Sequence, residues 1–178
     1  MAWRTTSTRT VYENPWIRVR EDEVVRPDGE PGLYGVVEVR QPAVFVVAMT
    51  EVDEVVLVTV DRHTTGRSVE VPAGGTDGED PLAAAQRELL EETGYTAAAW
   101  SRVGSMQALN GVCEAPEHVF VARGLSLAAA TGHHEEGISD VRTVPFPDVL
   151  AMVARGEITD GETVAALMYA AIHLGRVR

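Results

Sequence analysis

The chain has 178 residues, 45% of them hydrophobic, and a formal net charge of −12. That length and apolar content suit one globular domain with a sizeable core, and the acidic balance excludes a broad nucleic-acid-binding face. The single cysteine, Cys113, excludes an internal disulfide framework and a multi-cysteine zinc site, and reads as a thiol without a chemical role.

The first nine residues hold no apolar h-region, and no apolar run approaches the ~18 residues that span a bilayer. A cytoplasmic protein with no membrane partner is expected. Trp16 to Val25 reads as extended, with a turn at Pro27-Asp28-Gly29. β-rich runs follow at Tyr34 to Arg40, Ala43 to Thr50 and Val55 to Val60. Asp61 to Ser68 is polar, and Val69-Glu70-Val71 then leads into Pro72-Ala73-Gly74-Gly75, a loop whose glycines let backbone approach a ligand. Asp80 suits an N-cap, Pro81 a first helical position, and Gly94 a C-terminal stop. The expectation is strand, glycine loop, and a helix of three to four turns. Ala99 to Ala108 and His118 to Ala122 read as strands around a turn at Asn110-Gly111, and Val141 to Val144 as a short last strand. Two helices close the chain: Pro147 to Arg155, stopping at Gly156, and a longer one capped by Asp160 and ending near Gly175. Val164, Leu167, Met168, Ala171 and Ile172 form a stripe on the second, suited to core packing or a subunit contact. Strands around one early helix, followed by two late helices, predict an α+β or layered α/β/α domain.

The chemistry concentrates in Arg87-Glu88-Leu89-Leu90-Glu91-Glu92-Thr93-Gly94-Tyr95. Glu88, Glu91 and Glu92 share one helix face, where like charges repel by roughly 0.2–0.5 kcal/mol per pair. Arg87 can pair with Glu91 at i+4, but one arginine is not expected to neutralise three glutamates. A hard divalent cation with oxygen ligands would, and Mg²⁺ uses a few carboxylates together with phosphate oxygens.

These residues resemble the Nudix box of the Nudix hydrolases. The second half of the pattern matches at every fixed position: Glu79, seven residues, Arg87-Glu88-Leu89, Glu91-Glu92, Gly94-Tyr95. In the first half, Ala73 stands where the glycine is expected, so Gly74 takes that role in a loop one residue shorter. The resemblance implies the Nudix fold, a mixed β-sheet between helices, with residues 1–40 as an N-terminal β-extension and 41–178 as the Nudix domain. It points to the ADP-ribose pyrophosphatase-like, nucleotide-sugar branch, where such extensions contribute to a homodimer.

The resemblance also implies roles. Glu88 and Glu92 become the principal ligands of Mg²⁺ or Mn²⁺, with Glu91 sharing a second ion or bridging through water, and Ala73 a ligand through its carbonyl. Arg87 holds Glu91, and Glu79 supports the loop and the helix start near the positive end of its dipole. The catalytic base is assigned to Glu136 or Glu135, in the segment Thr131 to Gly137 after the box. The neighbouring His133 and His134 are not needed for a hard-ion site. Arg62, Glu70, Gly74 and Gly75 are candidate substrate contacts, and Glu114 and Glu117 are weaker ones for metal or ribose. The expected reaction is metal-dependent hydrolysis of a nucleoside diphosphate linked to a moiety X, with ADP-ribose or a related nucleotide sugar as substrate. Rival readings are a nucleoside triphosphate pyrophosphatase and a non-catalytic Nudix nucleotide sensor.

Overall fold

The computed structural model describes residues 2–128 and 137–177. They form strands β1 (Arg4–Glu13), β2 (Ile17–Val25), β3 (Pro31–Val39), β4 (Ala43–Ala48), β5 (Glu54–Arg62), β6 (Gly66–Glu70) and β7 (Ala73–Gly75). Helix α1 (Pro81–Thr93) follows, then β8 (Tyr95–Gln107), β9 (Cys113–Glu114), β10 (Pro116–Leu127) and β11 (Ile138–Pro145). Helices α2 (Phe146–Ala154) and α3 (Gly161–His173) complete the set. The chain divides into two units, one of residues 1–42 with 107–116 and one of residues 43–106 with 117–178.

In the first unit, β1, β2 and β3 run antiparallel, with β9 added parallel to β3 through Val37 opposite Cys113. The first strand carries threonines, a serine and arginines, so a hydrophobicity pattern gives no sign of it. Every one of its residues is exposed, and pairing with β2 makes it a strand. Arg20 ties this sheet together, bonding Asp22 at 3.1 Å and Glu114 at 2.6 Å and pairing with Glu38. That assigns Glu114 a structural partner.

In the second unit, one four-stranded sheet is ordered β7-β4-β10-β8 and a three-stranded sheet is ordered β11-β5-β6. The first is mixed, with β4 parallel to β10 and antiparallel to β7. Its central strand explains the near-continuous apolar run of the sequence. Phe45, Val47 and Met49 face one core cluster with the buried side chains of α2 and α3, whereas Val44, Val46 and Ala48 face another with Ala84, Ala85 and Leu89 of α1. Strand β10 repeats the alternation, with Val119 and Val121 on the first side and Phe120 and Ala122 on the second. A strand covered by helices on both faces has no polar side to show. Each such Val or Leu contributes roughly 1.5–3 kcal/mol of burial free energy before entropy is counted. This is the expected α/β/α layering, although hydrogen bonding divides the strands of this unit into two sheets.

Strands β1 and β9 have no counterpart in the sequence reading, β8 begins four residues ahead of the expected Ala99, and β6 and β7 are two further departures. Strand β5 runs on to Arg62, and Gly66–Glu70 returns as its antiparallel partner, so most of the polar stretch is a hairpin. The glycine loop also contains a strand, because Ala73–Gly75 pairs with Phe45, Val44 and Ala43 of β4. Main-chain pairing with a buried strand overrides the poor strand propensity of glycine.

Candidate active site

Helix α1 begins and ends as its sequence requires. Asp80 accepts hydrogen bonds from the Leu82 and Ala83 amides, and Gly94 closes the helix at φ 72° with its N–H on the Leu90 carbonyl. Its buried residues form two adjacent i, i+4 rows, Ala84-Glu88-Glu92 and Ala85-Leu89-Thr93. Ala84 and the second row's Ala85 and Leu89 anchor the helix on the sheet. The first row thereby carries two carboxylates inward, and Glu88 and Glu92 are only 5% and 6% exposed. Glu91 projects from the next position and is far more accessible.

Strand β7 meets this row from the other side. The Ala73 N–H donates to Glu92 Oε2 at 2.9 Å. A Cβ placed on Gly74 would fall 2.2 Å from the Glu88 carboxyl carbon, so only glycine fits there. Arg87 connects loop and helix, donating to the Gly75 carbonyl at 2.9 Å, to Glu79 at 3.0 Å, to Glu88 at 2.7 Å and to Glu91 at 3.1 Å. Burial works against the Arg87 charge, but the bonds to Glu79, Glu91 and Glu88 outweigh it and hold its pKa above the ordinary value. One arginine thus reaches three of the four box glutamates, and a backbone amide takes the fourth. The repulsion in the sequence is partly offset within the chain itself.

Arg62 and Glu70 face each other across the β5–β6 hairpin, in a two-pronged pair with Arg62 Nε 3.1 Å from Glu70 Oε1. The hydrogen bond to Glu70 raises the Arg62 pKa against the effect of burial, with Glu92 and Asp160 adding to its electrostatic surroundings. Arg62 and Glu70 therefore adjoin the box but hold each other. Glu135 and Glu136, the sequence candidates for the base, lie outside the described residues, as do His133 and His134.

Among the described residues, no three His, Cys, Asp or Glu side chains converge as a ready metal site. The donor chemistry nevertheless fits a hard divalent ion: three carboxylates within five residues of one helix, beside loop backbone from which Gly74 withholds a side chain.

Sequence reasoning passed lightly over one residue. Glu117 on β10 is 4% exposed and hydrogen-bonds Glu162 in the first turn of α3. Burial, reinforced by the charge of Glu162 and its hydrogen bond, pushes the Glu117 carboxyl up to about 7. The strand read from sequence starts one residue later, at His118, and the partner on a helix forty-five residues on had no local signal.

Comparison with known proteins agrees with this geometry. Residues 39–167 match the NUDIX domain model, and residues 3–37 match the nucleoside diphosphate sugar hydrolase N-terminal domain. The chain belongs to the NUDIX family. A methanol dehydrogenase activator from Bacillus methanolicus is 32% identical over 93% of this chain and 91% of its own. An ADP-ribose pyrophosphatase from Bacillus subtilis is 30% identical over the same shares. A GDP-mannose pyrophosphatase from Yersinia pestis is 36% identical over 64% of this chain and 59% of its own length. In fold, the crystal structure of an ADP compounds hydrolase superposes with a TM-score of 0.84 over 98% of this chain and 97% of the other, at 20% identity.

Proposed function

We propose that this protein is a metal-dependent hydrolase of nucleoside diphosphates linked to a sugar-like moiety X, with ADP-ribose or a related nucleotide sugar as substrate. The observation that carries the reading is the junction of Glu88, Glu92 and β7, where two buried carboxylates lie against loop backbone that admits no side chain at Gly74. Relatives matching 93% and 64% of the chain include enzymes named for ADP-ribose and GDP-mannose.

In this reading Glu88, Glu91, Glu92 and the Ala73 carbonyl would hold Mg²⁺ or Mn²⁺, which would supply neutralisation of diphosphate charge and a lowered pKa for water. The chain's own residues do the positioning. Arg87 fixes Glu91 and Glu88 relative to the loop, and Glu79 anchors Arg87. The Ala73 amide orients Glu92, and Arg62, held by Glu70, offers positive charge beside the diphosphate. Water adds to one phosphorus and the P–O–P bond breaks, giving a nucleoside monophosphate and the phosphate of X. The water's proton goes to the base, assigned by sequence to Glu135 or Glu136. Nucleotide sugars in the cytoplasm are the pool this activity would draw on.

We also assign the protein to homodimers. Strand β1 is a ten-residue sheet edge with Trp3, Val11 and Tyr12 exposed around and on it, a surface that favours pairing with a second copy. Sedimentation equilibrium at micromolar concentration tests this, and a monomer mass would overturn it.

The functional test is incubation with ADP-ribose, ADP-glucose, UDP-glucose, GDP-mannose, NADH and 8-oxo-dGTP in Mg²⁺ or Mn²⁺, with products separated by chromatography. Cleavage of one or more diphosphate sugars is expected. Turnover of the triphosphate alone would make the protein a triphosphate pyrophosphatase. Binding without cleavage of any compound would make it a sensor.

A further inference from the structure

The flank of α1 turned away from the buried box glutamates borders a cavity of its own. Gln86 and Leu90 stand two residues to either side of Glu88, which puts them roughly 160° around the helix from it. With Arg87 of the same helix and Thr96, Ala97 and Trp100 of β8, they line a space of about 410 Å³. Trp100 is half-buried and its ring is fixed. Its Nε1–H donates to the Ala97 carbonyl at 3.1 Å, and Phe120 of β10 packs against it edge-to-face with ring centroids 6.4 Å apart. An indole whose one donor is spent offers a ligand only its π face.

Two residues further along β8, and two before Phe120 on β10, the same side of the sheet carries Arg102 and His118. Arg102 Nη2 reaches His118 Nδ1 and Ser105 Oγ, each at 2.8 Å. A guanidinium only donates, so Nδ1 accepts and the hydrogen of the neutral ring sits on Nε2. Burial, then the Arg102 charge, lowers the His118 pKa and favours that neutral ring. Arg62 and Arg87 are taken up by glutamates, whereas Arg102 is exposed and has no carboxylate partner among the described residues. Arg102 and His118 therefore present donors, which suits an anion. Among the described residues, no acid lines the adjoining cavity, in a chain with a net charge of −12.

We propose that the groove between α1 and β8 is a second nucleotide site, which takes a nucleoside monophosphate with its base on Trp100 and its phosphate on Arg102 and His118. The aromatic face and the donor pair lie two strand residues apart, about 7 Å, a separation that one ribose spans between a base and its phosphate. The exposed Gln86 carboxamide, both donor and acceptor, is available to the base edge. Stacking on an indole tolerates any base, so the site selects the phosphate more strictly than the base. Arg87 connects this groove to the box, because it lines the cavity and also holds Glu88 and Glu91.

Calorimetric titration of the metal-free full chain with AMP, adenosine and inorganic phosphate tests the assignment. Wild type, Arg102→Gln, Trp100→Leu and Glu92→Gln are compared, with circular dichroism to confirm folding. Arg102 is exposed, so Arg102→Gln carries the test if Trp100→Leu fails to fold. The expected result is one AMP site whose Kd rises ~10-fold or more in Arg102→Gln and Trp100→Leu and stays near wild type in Glu92→Gln. Adenosine should bind more weakly than AMP and be indifferent to Arg102→Gln. An AMP Kd unchanged in folded Arg102→Gln would overturn the site, as would AMP binding lost in Glu92→Gln, which would place the nucleotide at the box. Wild type that binds no AMP at millimolar concentration, or binds phosphate as tightly as AMP, would overturn it too. No arm depends on turnover, so this assignment and the hydrolase reading fail separately.

Discussion

The backbone N–H of Ala73 donates to the Glu92 carboxylate at 2.9 Å, joining the short strand of the loop to the last turn of the box helix. This bond brings together two residues nineteen positions apart and orients a carboxylate that is otherwise buried. Because it uses the main chain, no substitution at position 73 other than proline removes its donor. The weak point is Glu92 itself.

Glu92→Gln keeps an oxygen to accept the Ala73 amide and removes the charge. The fold should therefore survive, with a thermal midpoint close to wild type. Turnover in Mg²⁺ should fall roughly 10²–10³-fold, as for loss of one electrostatic group in a preorganised site. Kinetics alongside a thermal melt check both halves, and near-normal turnover would remove Glu92 from the chemistry.

Gly74→Ala tests how closely loop and helix approach. The new methyl would meet the Glu88 carboxyl at 2.2 Å. Overpacking of this kind should destabilise by roughly 1–3 kcal/mol in urea unfolding and lower turnover. Adding Glu88→Ala should recover stability without recovering activity. Additive losses in the double variant would show that the two residues do not meet.

Leu89→Ala should destabilise by roughly 2–5 kcal/mol, because the side chain is fully buried between α1 and the sheet. Denaturant unfolding measures this directly. A cost near zero would mean that α1 is not anchored through that row.

Glu117 predicts a pH dependence. Its native pKa of about 7 lies above the ordinary 4.5, so the native state holds more protons than the unfolded state between those values. Stability from this group is therefore fully present below about 4.5 and is lost as pH rises through about 7. Glu117→Gln should flatten that slope, giving a variant that gains on wild type as pH rises. Urea midpoints at several pH values across the window measure it, and parallel curves would contradict it.

The box helix was legible in the sequence because its signals are local. Asp80, Pro81 and Gly94 mark its ends within one turn, and spacing alone puts Glu88 and Glu92 on one face. The layering around β4 was legible for a related reason, since a run apolar on both sides needs helices on both sides. What was hidden depends on distant pairing. Strand β1 has no apolar alternation and exists through β2, and β7 has two glycines and exists through β4. The reach of Arg87 back to the Gly75 carbonyl in the loop, and the meeting of Glu117 with Glu162, likewise come from tertiary placement that no local pattern of sequence contains.

The central claim is tested most directly by chromatography of ADP-ribose incubated with the protein and Mg²⁺. The account requires AMP and ribose 5-phosphate in equal amounts, suppressed by EDTA and by Glu92→Gln. Intact ADP-ribose and other nucleotide sugars, in a preparation that converts nucleoside triphosphates to monophosphate and pyrophosphate, would contradict it.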